Sequence, residues 1–279
     1  MENKHKFENY CKYKTSYVFS TKDREENAKN VLKKLSENID ISDELIVING
    51  GEDRGLGNFV NNLKIKNCKY INEKDYSDIE AWNKSFLLSE GEIIKNICDD
   101  DDYNWLDLKK SIKILIDNSE LDCIFTGGIK INTLTNQKSF INLPNNVLNW
   151  SSDINNLFKY SISGTGIVFK RRIFAKIESL WSQPVNELDF LIKCFNNRHV
   201  QIAYIRANTY THYFNSNSVS SRNSDLKERY MIKKCYENCN FLFFIIFYLK
   251  RHKFMKLLTK LIFRKKDKKK LSNFDWSIS

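Results

Sequence analysis

Four consecutive carboxylates, Asp99-Asp100-Asp101-Asp102, constrain this chain more than any other stretch. Like charges held side by side disfavour ionisation, so a fold that gathers four of them must supply partners. They follow an apolar, strand-like run, Glu92-Ile93-Ile94-Lys95-Asn96-Ile97-Cys98, and precede a helix-like segment that opens near Trp105. The carboxyl end of a strand is where open α/β sheets place ligands. Hard carboxylate oxygens there suit Mg²⁺ or Mn²⁺, which would bridge them to a phosphate-bearing substrate. The plainer reading is a solvated acidic loop in which Asp102 or Asn104 caps the next helix.

The rest of the pattern alternates strands with helices. Tyr17 to Thr21 reads as a buried strand leading into Arg24 to Glu37, where Ala28, Val31, Leu32 and Leu35 fall at helical spacing. Glu44 to Ile48 is a second strand ending in Asn49-Gly50-Gly51, a turn expected to use glycine's conformational freedom. Cys68 to Ile71 is a short third strand, and Asp78 to Glu90 an amphipathic helix stopped by Gly91. Beyond the aspartates come a helix (Trp105 to Asn118), a strand (Asp122 to Thr126) and a hairpin (Gly127 to Ile141). Ser163 to Phe169 is a small-residue loop entering a strand, followed by a basic helix start at Lys170. Glu187 to Asn196 is helical and Gln201 to Ile205 strand-like. Such alternation implies an α/β fold with a doubly wound, mostly parallel sheet. No linker splits residues 16–230, so they read as one domain, and 231–279 as a C-terminal amphipathic, basic extension.

Charge sharpens that division. The formal net charge is +11 over 279 residues, yet Lys250 to Lys270 alone carries eleven Lys/Arg against Asp267, leaving +1 for everything else. A near-neutral body disfavours a nucleic-acid groove across the fold, and with it a basic-tailed RNA-associated protein. Phe241 to Leu249 is too short to span a bilayer. Lys250 to Phe263 places Phe254, Leu257, Leu258, Leu261 and Ile262 on one face and cations elsewhere, as an interfacial helix on an anionic membrane would; packing on the protein's own body is the alternative. Seven scattered cysteines without metal-site spacing, and a polar stretch from Met1 to Thr15, lead us to expect reduced thiols in the cytoplasm and no signal peptide.

With these elements in place, the chain resembles the family 2 glycosyltransferases of the GT-A fold over roughly residues 16–215. Thr21 and Arg24 match that family's opening turn, with Ser20 where proline is usual. Ala81-Trp82-Asn83-Lys84 with Gly91-Glu92 matches a second block, Trp82 replacing arginine, and Cys98 to Asp102 matches the aspartate motif. The resemblance implies a metal-dependent, inverting transfer from a nucleoside-diphosphate sugar, UDP-linked for preference, to a hydroxyl of a glycan acceptor. With the basic tail it implies a peripheral enzyme on the inner face of the cell membrane, acting on a lipid-linked acceptor.

The resemblance also implies roles. Thr21, Asp23, Arg24, Asn49, Asn83, Asp99 and Asp100 would bind the nucleotide sugar, Asn49 standing where the family has an aspartate for the uracil N3–H. Asp101 and His212 would hold Mg²⁺ or Mn²⁺. Glu187, or else Asp189, would be the general base, in a segment where the family has aspartate at the position of Glu187. Ser163, Gly164 and Thr165 would approach the donor sugar, with a tight structural turn as the equal alternative. The departures at Asn49, Trp82 and Asn186 leave a second possibility, a catalytically silent membrane-bound scaffold in glycan assembly.

Overall fold

Strand and helix alternate through the first hundred residues because each apolar strand is followed by a stretch whose apolar residues recur at helical spacing. β1 (Tyr13–Thr21), α1 (Glu25–Ser36), β2 (Glu44–Asn49), α2 (Leu56–Asn62), β3 (Cys68–Asn72), α3 (Asp78–Leu88) and β4 (Gly91–Cys98) come first. β5 (Asp101–Tyr103), α4 (Trp105–Asp117), β6 (Cys123–Asn132), β7 (Lys138–Phe140) and α5 (Asn155–Lys159) follow. A 3₁₀ turn at Gly164–Gly166 then enters β8 (Ile167–Lys170). The chain continues through α6 (Ile173–Ile177), α7 (Leu188–Asn196), β9 (Ile202–Phe214), α8 (Ser224–Asn238) and α9 (Phe241–Arg251). This is a computed structural model, and it describes residues 11–251 except 75–76, 142–153, 160–163, 178–179, 182–184, 186 and 215–223.

The strands form one sheet in the order β3-β2-β1-β4-β8-β6-β9-β5, with β7 beside β6. β3, β2, β1 and β4 are parallel, as the alternation requires. The second half is mixed: β8 runs antiparallel to β4 and β6, β9 parallel to β6, and β5 antiparallel to β9. Only Asp99 and Asp100 separate β4 from β5 in sequence, yet three strands lie between them in the sheet. The sheet therefore curls until its far edge returns to β4. Tyr103 closes the junction, its hydroxyl accepting the Cys98 N–H at 2.7 Å.

Two apolar layers hold the sheet. One face packs α1 and α4 through Val31, Leu32, Leu35, Leu108, Ile112 and Leu115. Each such side chain contributes about 1.5–3 kcal/mol on full burial. The other face is aromatic: Phe86 of α3 meets Phe169 at 5.6 Å and Trp181 at 5.1 Å between ring centroids. Trp82 joins this cluster, 5.9 Å from Trp181. Its departure from the family pattern thus fills the layer beneath α3.

Several local expectations change. Gly51 has no left-handed backbone; among the described glycines only Gly55 does. Gly51 is small because Asp23 approaches it, so an added Cβ would lie 2.6 Å from Asp23 Oδ1. α3 ends at Leu88, and Gly91 already pairs with Tyr13 as the first residue of β4. Asn104, not Asp102, caps α4, its side chain accepting the Asp107 N–H. The boundary expected at 230/231 falls inside α8, which docks through buried Cys235 and through Tyr230 and Lys234, both bonded to Asp189. α9 sends Phe247 against Phe158, at 5.8 Å, and leaves Phe241, Leu242, Ile246 and Leu249 exposed. No helix among the described residues is long and apolar enough to cross a membrane. The expected interfacial helix, Lys250 to Phe263, lies outside the described residues from position 252 onward.

Asp122 joins the second half of the sheet to α6. It is fully buried and accepts from Arg172 Nε at 2.7 Å, Lys176 Nζ at 2.7 Å and the Gln201 N–H at 2.8 Å. Asp122→Ala should lower folding stability by about 3 kcal/mol, because it removes one side of a buried ionic cluster. Urea unfolding measures it, and an unshifted midpoint would contradict this account.

Candidate active site

The sheet's curl turns the acid run into a set of individually partnered carboxylates. Asp99 is buried and accepts from Thr21 Oγ1 at 2.6 Å and Arg24 Nη2 at 2.7 Å. The other arm of Arg24 reaches Asp100 at 2.7 Å. Asp102 turns outward to Lys34 and to the Tyr213 hydroxyl at 3.0 Å. A cavity of about 550 Å³ opens beside Arg24 at the carboxyl ends of β1 and β2, lined by Thr21, Asp23, Arg24, Asn49 and Arg54 among others. Four of the residues expected on the nucleotide side thus share one cavity wall. Asn49 is tied down there: its Oδ1 accepts the Gly51 N–H at 3.1 Å and its Nδ2 donates to Tyr70 at 3.2 Å.

Asp101 faces the other way. Its Oδ2 accepts from Thr165 Oγ1 at 2.9 Å, and its Oδ1 lies 2.7 Å from His212 Nδ1. The His212 contact follows from pairing, since Asp101 and His212 are register partners across β5 and β9. Glu187, the residue before α7, accepts the Gly164 N–H at 2.8 Å. The turn Gly164–Thr165 therefore holds both carboxylates at once. Gly164 must be small, as a Cβ there would meet Trp181 at 3.1 Å and Glu187 at 3.5 Å.

Among the described residues no three His, Cys, Asp or Glu side chains converge as a ready metal cage. Asp101 and His212 are the two that could share an ion, in place of the hydrogen bond now joining them. Mg²⁺-type sites use one or two carboxylates and complete their shell with water and substrate phosphates, so this sparse donor set fits such an ion.

Two of the expected residues have partners within the chain. Asn83 is expected on the nucleotide side, but both ends of its amide bond the backbone of Trp181, at 3.0 and 3.1 Å. It thereby fixes the wall beside Gly164. Asp189, the second choice for a base, bonds Tyr230 and Lys234 of α8 and so anchors that helix. Ser163 and Asn186 lie outside the described residues.

Three site residues escaped sequence reasoning. Lys95, fully buried in β4, donates to the Thr165 and Ile167 carbonyls and supports the turn from beneath. Burial pushes its pKa down to about 8. Trp181 is buried with an indole N–H that has no partner among the described residues. Lys130 pairs in register with His212. A charged residue inside an apolar strand was the one available signal, and it marked Lys95 alone.

No family model matches the sequence, and no curated protein matches it. Solved structures do match by fold. Staphylococcus aureus TarS 1–349 in complex with UDP-GlcNAc aligns at TM-score 0.61 and 14% identity, over 81% of this chain and 68% of that one. Glucosyl-3-phosphoglycerate synthase from Mycobacterium tuberculosis, with Mn²⁺, UDP and phosphoglyceric acid, aligns at 0.53 and 16%, over 82% and 79%. The mannosyltransferase PcManGT from Pyrobaculum calidifontis, with GDP-Man and Mn²⁺, aligns at 0.55 and 10%, over 83% and 67%. The chain has the GT-A fold of these glycosyltransferases.

Three groups here hold protons more tightly than usual. Burial raises Asp99 to about 6 against the opposing pull of Arg24 and Thr21, and burial raises Glu187 against its backbone N–H bonds. Burial pulls His212 down, but the hydrogen bond and charge of Asp101 outweigh it and leave the imidazole raised. The stabilisation from His212 is complete below its unfolded value and is lost as pH rises through the folded one. For Asp99 and Glu187 the penalty of ionisation is relieved as pH falls through their folded values. Metal-free protein should therefore gain stability as pH falls from about 7 to about 5.5. Thermal unfolding in EDTA tests this; a midpoint that falls over that window overturns it.

Proposed function

We propose that this protein is an inverting, metal-dependent glycosyltransferase that moves a sugar from a nucleoside-diphosphate sugar to a hydroxyl of a glycan acceptor. The observation that carries the reading is the Gly164–Thr165 turn, which joins Asp101 to Glu187 and so brings the proposed ion-binding carboxylate and a half-buried carboxylate with a raised pKa to one wall. The bound UDP-GlcNAc, UDP and GDP-Man of the fold relatives support a nucleotide-sugar donor, and their Mn²⁺ supports a divalent cofactor, Mn²⁺ or Mg²⁺. The donor's nucleoside would occupy the cavity beside Arg24 and Asn49. The Asn49 amide oxygen keeps a second lone pair that could accept the uracil N3–H, so a UDP-linked donor remains compatible with this position.

Glu187 would accept the proton of the acceptor hydroxyl as that oxygen attacks C1, while the C1–O bond to the diphosphate breaks. A single displacement inverts the anomeric centre and needs no covalent intermediate. Asp101 and His212 would hold the metal ion, whose chemistry there is neutralisation of charge on the diphosphate. Thr165 and Lys95 keep Asp101 and the turn in place, and Asn83 does the same for Trp181. The test uses purified protein, UDP and UDP-sugars. UDP should stabilise the wild type against heat mainly with Mn²⁺ present, and Asp101→Asn should abolish that dependence. Glu187→Gln should slow turnover of the donor about 10²–10⁴-fold with donor affinity unchanged. Equal stabilisation by UDP in EDTA, or undiminished turnover by Glu187→Gln, would overturn the mechanism.

We further propose that the acceptor is lipid-linked and the enzyme peripheral on an anionic membrane. The exposed Phe241, Leu242, Ile246 and Leu249 of α9, followed in sequence by the cation-rich Lys250 to Lys270, support this. Each cation near such a surface contributes about 1 kcal/mol. The full chain should sediment with vesicles containing phosphatidylserine and be partly released at about 1 M salt, where the Debye length falls to about 3 Å. Equal binding to neutral vesicles would remove the electrostatic part of the proposal.

A further inference from the structure

Lys130 occupies a place that none of the roles above uses. In the curled sheet, Asp101 on β5 pairs in register with His212 on β9, and His212 pairs in register with Lys130 on β6. Register partners in adjacent strands project to the same face, with strands about 4.8 Å apart. Asp101, His212 and Lys130 therefore form one row across three strands, on the face that carries the ion-binding pair. At the far side of the row the charge of Glu187 acts on Lys130, and the charge of Lys130 acts on His212. Lys130 is thus the register neighbour of His212 and is within electrostatic reach of the proposed base.

The other cations of this region are engaged. Arg24 is shared by Asp99 and Asp100, Lys34 bonds Asp102, and Lys95 is bonded to backbone carbonyls. Lys130 is half-buried and has no hydrogen-bond or ion-pair partner among the described residues. Burial pushes its pKa down and Glu187 pulls it up, with burial the larger. A desolvated ammonium without a counter-ion is costly, and an oxyanion delivered beside it would relieve that cost.

We propose that Lys130 is a diphosphate-binding residue, its ammonium taking an oxyanion of the nucleoside diphosphate alongside the Asp101–His212 pair. This rests on the nucleotide-sugar reading above. As the C1–O bond breaks, charge builds on the departing diphosphate, so the same contact strengthens in the transition state. Lysine's flexible four-carbon stem suits a contact that forms only when substrate arrives.

The test is calorimetric titration of UDP and of uridine, each with Mn²⁺, into wild type, Lys130→Met and Lys130→Arg. A charge-assisted hydrogen bond corresponds to roughly a 10- to 100-fold loss of UDP affinity in Lys130→Met. Uridine, which has no phosphate, should bind all three alike, and Lys130→Arg should recover most of the loss. The ligand-free thermal midpoint of Lys130→Met should hold or rise, since a desolvated charge is removed. Should Met not be tolerated, Lys130→Gln carries the same expectations. If wild type and Lys130→Met bind UDP equally, the role assigned to Lys130 is wrong while the nucleotide-sugar reading stands. Parallel loss of uridine would mean a disturbed cavity and also overturns the assignment. If wild type itself binds no nucleoside diphosphate with metal, the nucleotide-sugar reading fails and the role of Lys130 fails with it.

Discussion

Four adjacent carboxylates can share one turn only if each is answered from a different part of the chain, and the architecture around the site follows from that requirement. Arg24, just ahead of α1, answers Asp99 and Asp100; Lys34, at the other end of α1, answers Asp102; His212, from β9, answers Asp101. These partners lie 68 to 111 residues away from the carboxylates that they meet wherever the bond is between side chains of Lys34 or His212. The acid run is thus a junction where α1, β4 and β9 meet. Its burial raises the cost of any loose arrangement, since an unpaired buried charge is far more expensive than a paired one.

The second junction is the short turn at Gly164–Thr165. Thr165 reaches Asp101, Gly164 reaches Glu187, and Lys95 grips the turn from below through the Thr165 carbonyl. One buried lysine therefore sets the height of a turn that spaces the two carboxylates of the proposed reaction. Trp181 closes the side of the turn, itself held by Asn83 and packed into the aromatic layer, tilted against Trp82 and edge-on to Phe86. The wall on this side of the site thus rests on the hydrophobic core, which packs at close to crystal density and deforms little.

The C-terminal helices are bound to that same wall. Asp189, on the first turn of α7, accepts from Tyr230 and Lys234 of α8, and Phe247 of α9 packs against Phe158 of α5. The first part of the expected C-terminal extension thus packs on the domain, and α9 keeps one apolar face outward. α9 packs one side on the domain through Phe247 and leaves Phe241, Leu242, Ile246 and Leu249 exposed on the other.

Much of the α/β architecture was legible in local pattern. The parallel half, the helices packed on it, the β6–β7 hairpin and the placement of the aspartates after β4 follow from period-2 and period-3.6 apolar spacing, which depends on neighbours in sequence. The residue types of the site were legible too, because carboxylates clustered at a strand end are rare without a task. Tertiary structure decided which of them face each other. β5 is three residues long and has no pattern of its own; it exists because β9 pairs with it, and that pairing puts His212 on Asp101 and Lys130 in the same row. Asn83 and Asp189 find partners in Trp181 and α8, which their local sequence does not specify. Sequence alone determined most of the long strands and helices and the place of the acids, because those properties are local. Only the curl of the sheet decided which acid would meet which cation, because register between strands far apart in the chain is set by the packing of the whole.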